Sequence, residues 1–391
     1  MRRLALPPDP AWRADADACG FIHHTVSGAP YWTDDAAYAF MLAEIEDGLE
    51  APAERLHAMC LEVVAHAVSH SPTMRALAIP DAYHDWIKDS WHAREPHLYG
   101  RFDFGWGGEG TGVAKLYEYN ADTPTSVFEA AAFQWRWLER RLARGDLPPG
   151  TDQFTSLHEA LVTRWPAVAD PGLTLHFLSV DDAFEDRATT RYLEDTARQA
   201  GFETAYTPMD RVGLDARGRY ADGDSVVIDQ AFKLYPWEAM HREDFGPDLP
   251  GAPTRWIEPP WKAILSNKGL LALLWEGWPG HENLVPAYFG ESHPDLPELY
   301  VRKPLYGREG ADITIVGAGI ESPRQGYGAE GFVCQAYAPL PDFADGRGAE
   351  ARRPVCGVWM VGDRAHGLGV REGGLVTDDA ARFVPHVIEP S

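Results

Sequence analysis

Apolar positions recur every three to four residues from 34 to 70, where Ala37, Phe40, Met41, Ile45, Leu49, Leu56 and Leu61 mark one face, and this spacing predicts helix. Pro72 and Pro80 break the pattern, and a further helical stretch is predicted over 80–95, ending near Pro96. The texture then changes. LYGRFDFGW (98–106) reads as a strand, GGEGTG as a tight turn and VAKLYEYNAD (113–122) as a second strand, the alternation expected of a hairpin. After Pro124, SVFEAAAFQWRWLERRL predicts a helix with Ser126 as its N-cap.

The apolar run LTLHFLS suits a buried strand, DAFEDRATTRYLEDTARQAG a helix closed by Gly201, and FETAYTPMD a second strand. That order suggests a small parallel-sheet unit, to which SVVIDQAFKLYPW adds a strand. The Pro- and Gly-rich stretch 245–260 reads as a linker or long loop, and WKAILSNKGLLALLWEGW as a helix. ELYVRKPLYGREGADITIV gives strand, turn, strand, and GFVCQAYAPL, PVCGVWMVGD and HGLGVREGGL are short strands. The expected class is α+β: a helical region over 1–95, a hairpin and helix over 96–165, a small α/β region over 166–245 and a sheet-rich region over 246–391.

Charge narrows the partners. Against 35 Lys and Arg stand 59 Asp and Glu, a formal charge of −24, which repels phosphate backbones, so nucleic acid is not expected as a partner. The same charge would attract cations such as polyamines or Mg²⁺, though it also serves solubility. Cys19, Cys60, Cys334 and Cys356 are widely spaced without a CxxC pair, which fits reduced thiols in a cytoplasmic protein. MRRLALPPDPAW lacks the apolar run of a signal peptide, and no stretch approaches the ~18–20 apolar residues of a membrane span.

Four places could carry chemistry. Arg101-x-Asp103 lies on one hairpin strand and Glu118-x-Asn120 on the other; residues two apart share a face, so two carboxylates, an amide and a guanidinium can meet. Oxygen ligands of that kind suit Mg²⁺, and the guanidinium suits a phosphate or carboxylate. A half-solvated hairpin with alternating polar residues would look the same. Lys303 precedes LYGREG, whose Gly307 and Gly310 would let backbone N–H groups approach an anion; an ordinary hairpin with a basic edge is the alternative. Lys268, in ILSNKGLL, reads as a helix residue that either snorkels to solvent or enters a cleft. Arg371, in GLGVREGG, stands on a strand before glycines and could offset charge on a transferring phosphoryl group or simply face solvent. The chain has no GxSxG or HExxH motif, and the adjacent His23 and His24 diverge too far to serve as a metal pair.

Several long segments resemble the glutathionylspermidine synthase family of ATP-grasp ligases: KLYEYNADTPTSVFEAAAFQWRWLE, FKLYPWE, EPPWKAILSNKGLLALLWEGWPGHENLVPAYF, YVRKPLYGREGADITIV and GVWMVGDRAHGLGVREGGLVTDDAARFVPHVI. The resemblance runs in order from about residue 30 to the C-terminus. It implies an ATP-grasp fold with a preATP-grasp-like α/β region, use of ATP and Mg²⁺, and an amide bond made between a carboxylate and an amine. Glutathione or a related peptide would be the acid, and spermidine or another polyamine the amine. By the same resemblance Asp103, Glu118 and Asn120 match metal-binding positions, and Arg101 the arginine that meets the substrate carboxylate. Lys268 and Lys303 match nucleotide-binding lysines, Arg371 an arginine close to the reacting phosphate, and Thr123 and Thr125 contacts to a thiol-peptide substrate. Gln335 to Tyr337 lie where adenine is expected. Bifunctional members carry an additional amidase domain with a Cys–His nucleophile. About 100 residues precede Arg101, too few for that domain, so amidase activity is not expected. A ligase for a different acid and amine, a carbohydrate-active hydrolase using paired carboxylates, and a noncatalytic metabolite-binding protein remain as alternatives.

Overall fold

The computed structural model describes residues 1–26, 28–344, 351–378 and 380–390. The site is built mainly from a five-stranded antiparallel sheet in the order Arg382–Val384, Arg364–Gly373, Arg353–Val361, Tyr99–Gly105, Lys115–Asn120. The last two strands are the hairpin read from the sequence. Their register sets Arg101 opposite Asn120 and Asp103 opposite Glu118. Beyond Asp103 the register slips, so that Phe104 faces Leu116 and Tyr117 is an extra residue, a β-bulge.

This sheet is covered on both sides. Phe102, Phe104, Val358 and Met360 pack into one apolar cluster, and Tyr99, Trp359 and Val361 into another. By period-two alternation Arg101 and Asp103 leave the sheet on the side of Tyr99, and the Arg101 guanidinium lies over the Trp359 ring at 5.5 Å.

A four-stranded parallel sheet has the order Arg255–Ile257, Gln230–Leu234, Leu175–Ser179, Thr204–Pro208, with the helix Phe184–Gln199 crossing between the last two. Every residue of the two central strands is buried, which explains their apolar runs. A second antiparallel sheet has the order Ala287–Phe289, Phe332–Ala336, Tyr300–Pro304, Thr314–Val316, Ile320–Glu321. The architecture is mixed α and β. Among the described residues, no helix is long and apolar enough to cross a membrane.

Three expectations about elements need correction. Residues 34–40 do not start a helix: Ala36–Phe40 is a strand between Arg2–Ala5 and His386–Ile388. All five of its residues are buried, so it carries no alternation, and its apolar spacing merged into that of the Ala51–Ser69 helix. The stretch 245–260 is not merely a linker; it supplies the edge strand Arg255–Ile257, three residues hidden between prolines. WKAILSNKGLLALLWEGW is not one helix but a 3₁₀ turn, Pro260–Ile264, and a helix, Leu270–Gly277. Asn267 divides them. Its amide donates to Leu77 O at 2.7 Å and accepts from Gly269 N at 2.8 Å, one distant and one local bond that together compete with helix continuation.

Candidate active site

A cleft with about 250 Å³ of free space lies where the two antiparallel sheets meet the end of the parallel sheet. Of the thirteen residues singled out in the sequence, Arg101, Asp103, Glu118, Asn120, Thr123, Thr125, Lys268, Lys303, Gly310, Gln335, Tyr337 and Arg371 line it. Gly307 does not, but its carbonyl accepts from Lys268 Nζ at 2.6 Å.

The hairpin strand Tyr99–Gly105 supplies a buried ion pair. Arg101 Nε and Nη2 donate to the two oxygens of Asp103 at 2.7 and 2.9 Å, a fork on a carboxylate. Arg101 Nη1 donates to Thr125 O at 2.8 Å and to Ser126 Oγ at 3.3 Å. Ser126 stands just before the helical run that opens at Val127, but it has the left-handed φ of 66° and its hydroxyl is turned to Arg101 rather than capping the first turn. Asp103 Oδ2 also accepts from Arg371 Nη2 at 2.7 Å and from Asn120 Nδ2 at 3.2 Å. One carboxylate therefore holds two guanidinium groups. Burial acts to strip the charge from Arg101, but Asp103 and Glu118 overrule it and raise its pKa above the ordinary value.

The neighbouring strand supplies Glu118, whose Oε1 accepts from Asn120 Nδ2 at 3.3 Å and whose Oε2 lies 2.7 Å from Lys268 Nζ. Burial works to raise the Glu118 pKa. Lys268, Lys303 and Arg371 outweigh burial and hold the carboxylate ionised. Lys268 is not on a helix; it sits in the turn before Leu270, which aims it into the cleft rather than toward solvent.

Lys303 comes from the second antiparallel sheet and is nearly buried. Its Nζ donates to Gln335 Oε1 at 2.8 Å and to Tyr117 O at 3.0 Å. Burial pushes its pKa down to about 8, with Glu118 opposing and Lys268 reinforcing the shift. Gln335 is engaged at both ends, since its Nε2 donates to Leu116 O at 3.2 Å. The bulge turns Tyr117 into the cleft beside Glu118, and its hydroxyl donates to Ala338 O at 2.8 Å. Gly310 has φ of 71°, and a Cβ there would lie 2.6 Å from Thr377 O, so the turn after Lys303 needs glycine at this position.

Two cleft residues escaped sequence reasoning. Arg308, inside the LYGREG turn, donates from Nη1 to Thr123 Oγ1 at 2.7 Å and from Nη2 to Glu238 Oε1 at 2.6 Å. Its charge lay in a segment noted only for its glycines. Asp186, at the start of the Phe184–Gln199 helix, has its pKa pushed up to about 7 by burial and by Glu185 and Glu309. Nothing in the local sequence brings it to the hairpin.

The cleft thus gathers oxygen donors at Asp103, Glu118 and Asn120 and cations at Arg101, Lys268, Lys303, Arg308 and Arg371. Such an arrangement can hold a metal ion and a polyphosphate together. The hairpin pair is poorly suited to hydrolysis by paired carboxylates, because Glu118 is held ionised by its cationic neighbours and Asp103 is engaged by two arginines.

A family model described as glutathionylspermidine synthase preATP-grasp matches residues 3–389. A Haemophilus influenzae protein described as "Putative acid--amine ligase" is 38% identical over 389 residues, covering 95% of each chain. Trypanothione synthetase of Crithidia fasciculata is 28% identical over 342 residues, 81% of this chain and 51% of that protein, so the chain spans about half the length of this relative. Among solved structures, a glutathione synthetase-like effector of Globodera pallida, in its apo form, superposes with a TM-score of 0.62 at 11% identity, covering 98% of this chain and 100% of that one, a likeness of fold. The match along nearly the whole chain shows that this protein belongs to the glutathionylspermidine synthase family of acid–amine ligases.

Proposed function

We propose that this protein is an ATP-grasp ligase that uses ATP and Mg²⁺ to join a carboxylate to an amine through an acyl phosphate. The observation that carries this reading is the convergence of Asp103, Glu118 and Asn120 with five cationic side chains in one cleft. A carboxylate resists attack by an amine because oxide is a prohibitive leaving group. Transfer of the γ-phosphoryl group to a carboxylate oxygen gives an acyl phosphate and ADP. The amine then forms the C–N bond, the C–O bond to phosphate breaks, and a proton leaves the nitrogen. In such chemistry the protein mainly positions the reactants and offsets charge.

The donor set fits Mg²⁺. Asp103 and Glu118 offer carboxylate oxygens, and turning the Asn120 amide over presents its oxygen to the same point. The ion would neutralise phosphate charge there. Lys268 and Lys303 would bind the nucleotide phosphates, with Gly307 and Gly310 shaping the turn over them. Tyr337 and the strand residue Gln335 would border the base. Arg101 and Arg371, already directed at one carboxylate, would ease the approach of the substrate acid to the γ-phosphate, with Arg308 closing the opposite side. Removing one such donor typically costs about 2.7–4 kcal/mol, or roughly 10²–10³ in rate.

Thr123 and Thr125 would contact the acid substrate, for which glutathione or a related peptide is the leading candidate on the family's name. A polyamine such as spermidine is the leading amine, in keeping with the −24 formal charge. A different peptide or amino-acid acid with another amine is the second reading, favoured by the 38%-identical relative, whose description names neither substrate. The four unpaired cysteines accord with a cytoplasmic setting. The test is ADP release from MgATP with a panel of acids and amines that begins with glutathione and spermidine, with mass spectrometry of the products. ADP that requires both substrates, together with an amide product, supports the proposal. Glu118→Gln should reduce Mg²⁺-dependent turnover by roughly 10² or more with the fold intact. Wild-type turnover in that variant would sink the metal assignment.

A further inference from the structure

Along the strand Lys115–Asn120, Glu118 and Asn120 face the cleft, so Tyr119 points to the other side of the sheet. There its ring stacks on Phe102, and its hydroxyl lies 3.3 Å from Nδ1 of His57, on the Ala51–Ser69 helix. His57 is one of three side chains that converge from distant segments. His97 lies two residues before the Tyr99–Gly105 strand, and Asp363 sits in the turn joining the two longest strands. Nε2 of His57 and Nε2 of His97 each lie 3.1 Å from the same atom, Asp363 Oδ1. The ring centroids are 5.4 Å apart, and the available ligand atoms all fall within 4.8 Å of one another. Both rings are buried, whereas the Asp363 side chain is 70% exposed, so the cluster opens to solvent on one side.

We propose that His57, His97 and Asp363 form a binding site for a divalent transition-metal ion of the zinc class, separate from the cleft. Two imidazole nitrogens and one carboxylate, with room for water on the open side, are a ligand set that Zn²⁺ and its neighbours accept and that Mg²⁺ does not favour. One outer partner suits its ring and the other opposes it. Tyr119 OH faces Nδ1 of His57, and Lys262 Nζ faces Nδ1 of His97 at 3.5 Å. Lys262 already has closer acceptors in Tyr99 O at 2.7 Å and Glu258 Oε2 at 3.2 Å. A metal on Nε2 of His97 places the ring proton on Nδ1, toward that ammonium group, so binding is weaker than at a site with a carboxylate in this place. The ion would tie the helix, the start of the Arg101 strand and the hairpin tip together. The tip lies eight residues from Arg371, roughly 25 Å along an extended strand.

The test titrates the full chain with Co²⁺ in excess Mg²⁺, which occupies oxygen-only sites, and follows the visible absorption of the bound ion and its displacement by Zn²⁺. One equivalent should bind, broaden the ring-proton resonances of His57 and His97, and raise the unfolding temperature. Asp363→Asn keeps an oxygen that can accept both ring N–H bonds but removes the charge, and should weaken binding at least tenfold; His97→Gln should do the same. Circular dichroism checks that both variants fold. Absence of saturable binding by the wild-type protein, binding that leaves both ring resonances unmoved, or equal binding by both variants would overturn the proposal and leave Asp363 as a hydrogen-bonding clamp.

Discussion

If Lys303 holds a nucleotide phosphate, its displaced titration should appear in the thermodynamics of ATP binding. Burial pushes its pKa from 10.5 down to about 8 in the free protein. A phosphate beside Nζ favours the charged form and should return the pKa toward its ordinary value. With the protonated form alone competent to bind, about nine-tenths of molecules qualify at about pH 7 and about a tenth at about pH 9. ATP affinity should then fall about tenfold over that range, about 1.4 kcal/mol, and binding at about pH 9 should take up close to one proton. Calorimetry in two buffers of different ionisation enthalpy measures that uptake directly, and Lys303→Met should abolish it. Uptake near zero at about pH 9, or the same uptake in the variant, would refute the reasoning. The sign for stability is opposite to that of a stabilising ion pair. The folded pKa is depressed, so the penalty of burying the ammonium is fully present below about pH 8 and disappears as the pH rises toward 10.5.

Other perturbations test the geometry elsewhere. Asp103→Ala leaves the buried Arg101 without its partner and should cost about 3–5 kcal/mol in urea unfolding, with Asp103→Asn costing less. Gly357→Ala would put a Cβ 2.9 Å from Arg101 Cδ and 3.2 Å from Gly369 O, and should lower kcat more than it lowers the unfolding temperature. Burial pushes the His386 pKa down to about 3; its Nε2 accepts from Phe154 N at 2.9 Å and its Nδ1 donates to Gln134 Oε1 at 3.0 Å, an arrangement that fits only the neutral ring. The unfolded chain takes up that proton near pH 6.5, so stability should fall between about pH 6.5 and 3 by up to ~1.4 kcal/mol per pH unit, and His386→Gln should flatten the slope.

The hairpin was legible because its strands are neighbours along the chain, joined through residues 106–114, so residues two apart could be assigned to a shared face without knowing the rest of the fold. Asp103 meets Glu118 across that hairpin as its alternation required. Ala36–Phe40 was not legible, because a strand buried on both faces has no period of its own and borrowed the rhythm of the helix after it. Lys268 was placed on a helix because its neighbours are apolar, and what ends the helix there is a side-chain bond from Asn267 to the distant Leu77. Arg308 and Asp186 reach the cleft through tertiary packing, which no local spacing reports. His57, His97 and Asp363 lie tens to hundreds of residues apart, and only the pairing of their strands and helix brings them together.

The extra residue at Tyr117 has a consequence for how such a site can change over time. In an unbroken ladder, Tyr117 would share the face of Tyr119 and turn away from the cleft. The bulge lets consecutive residues, Tyr117 and Glu118, border the same space, and Gly105 opposite leaves room for the ring. It also separates the strand into two stretches of independent phase. Substitutions on either side can accumulate without disturbing the other, and loss of Tyr117 alone would restore a regular ladder that still sets Leu116 opposite Phe104, removing only the ring from the cleft. Variation among descendants of this chain should therefore be rich in exchanges along Lys115–Asn120, and where its length changes the change should fall at the bulge, the one place that leaves both stretches in phase.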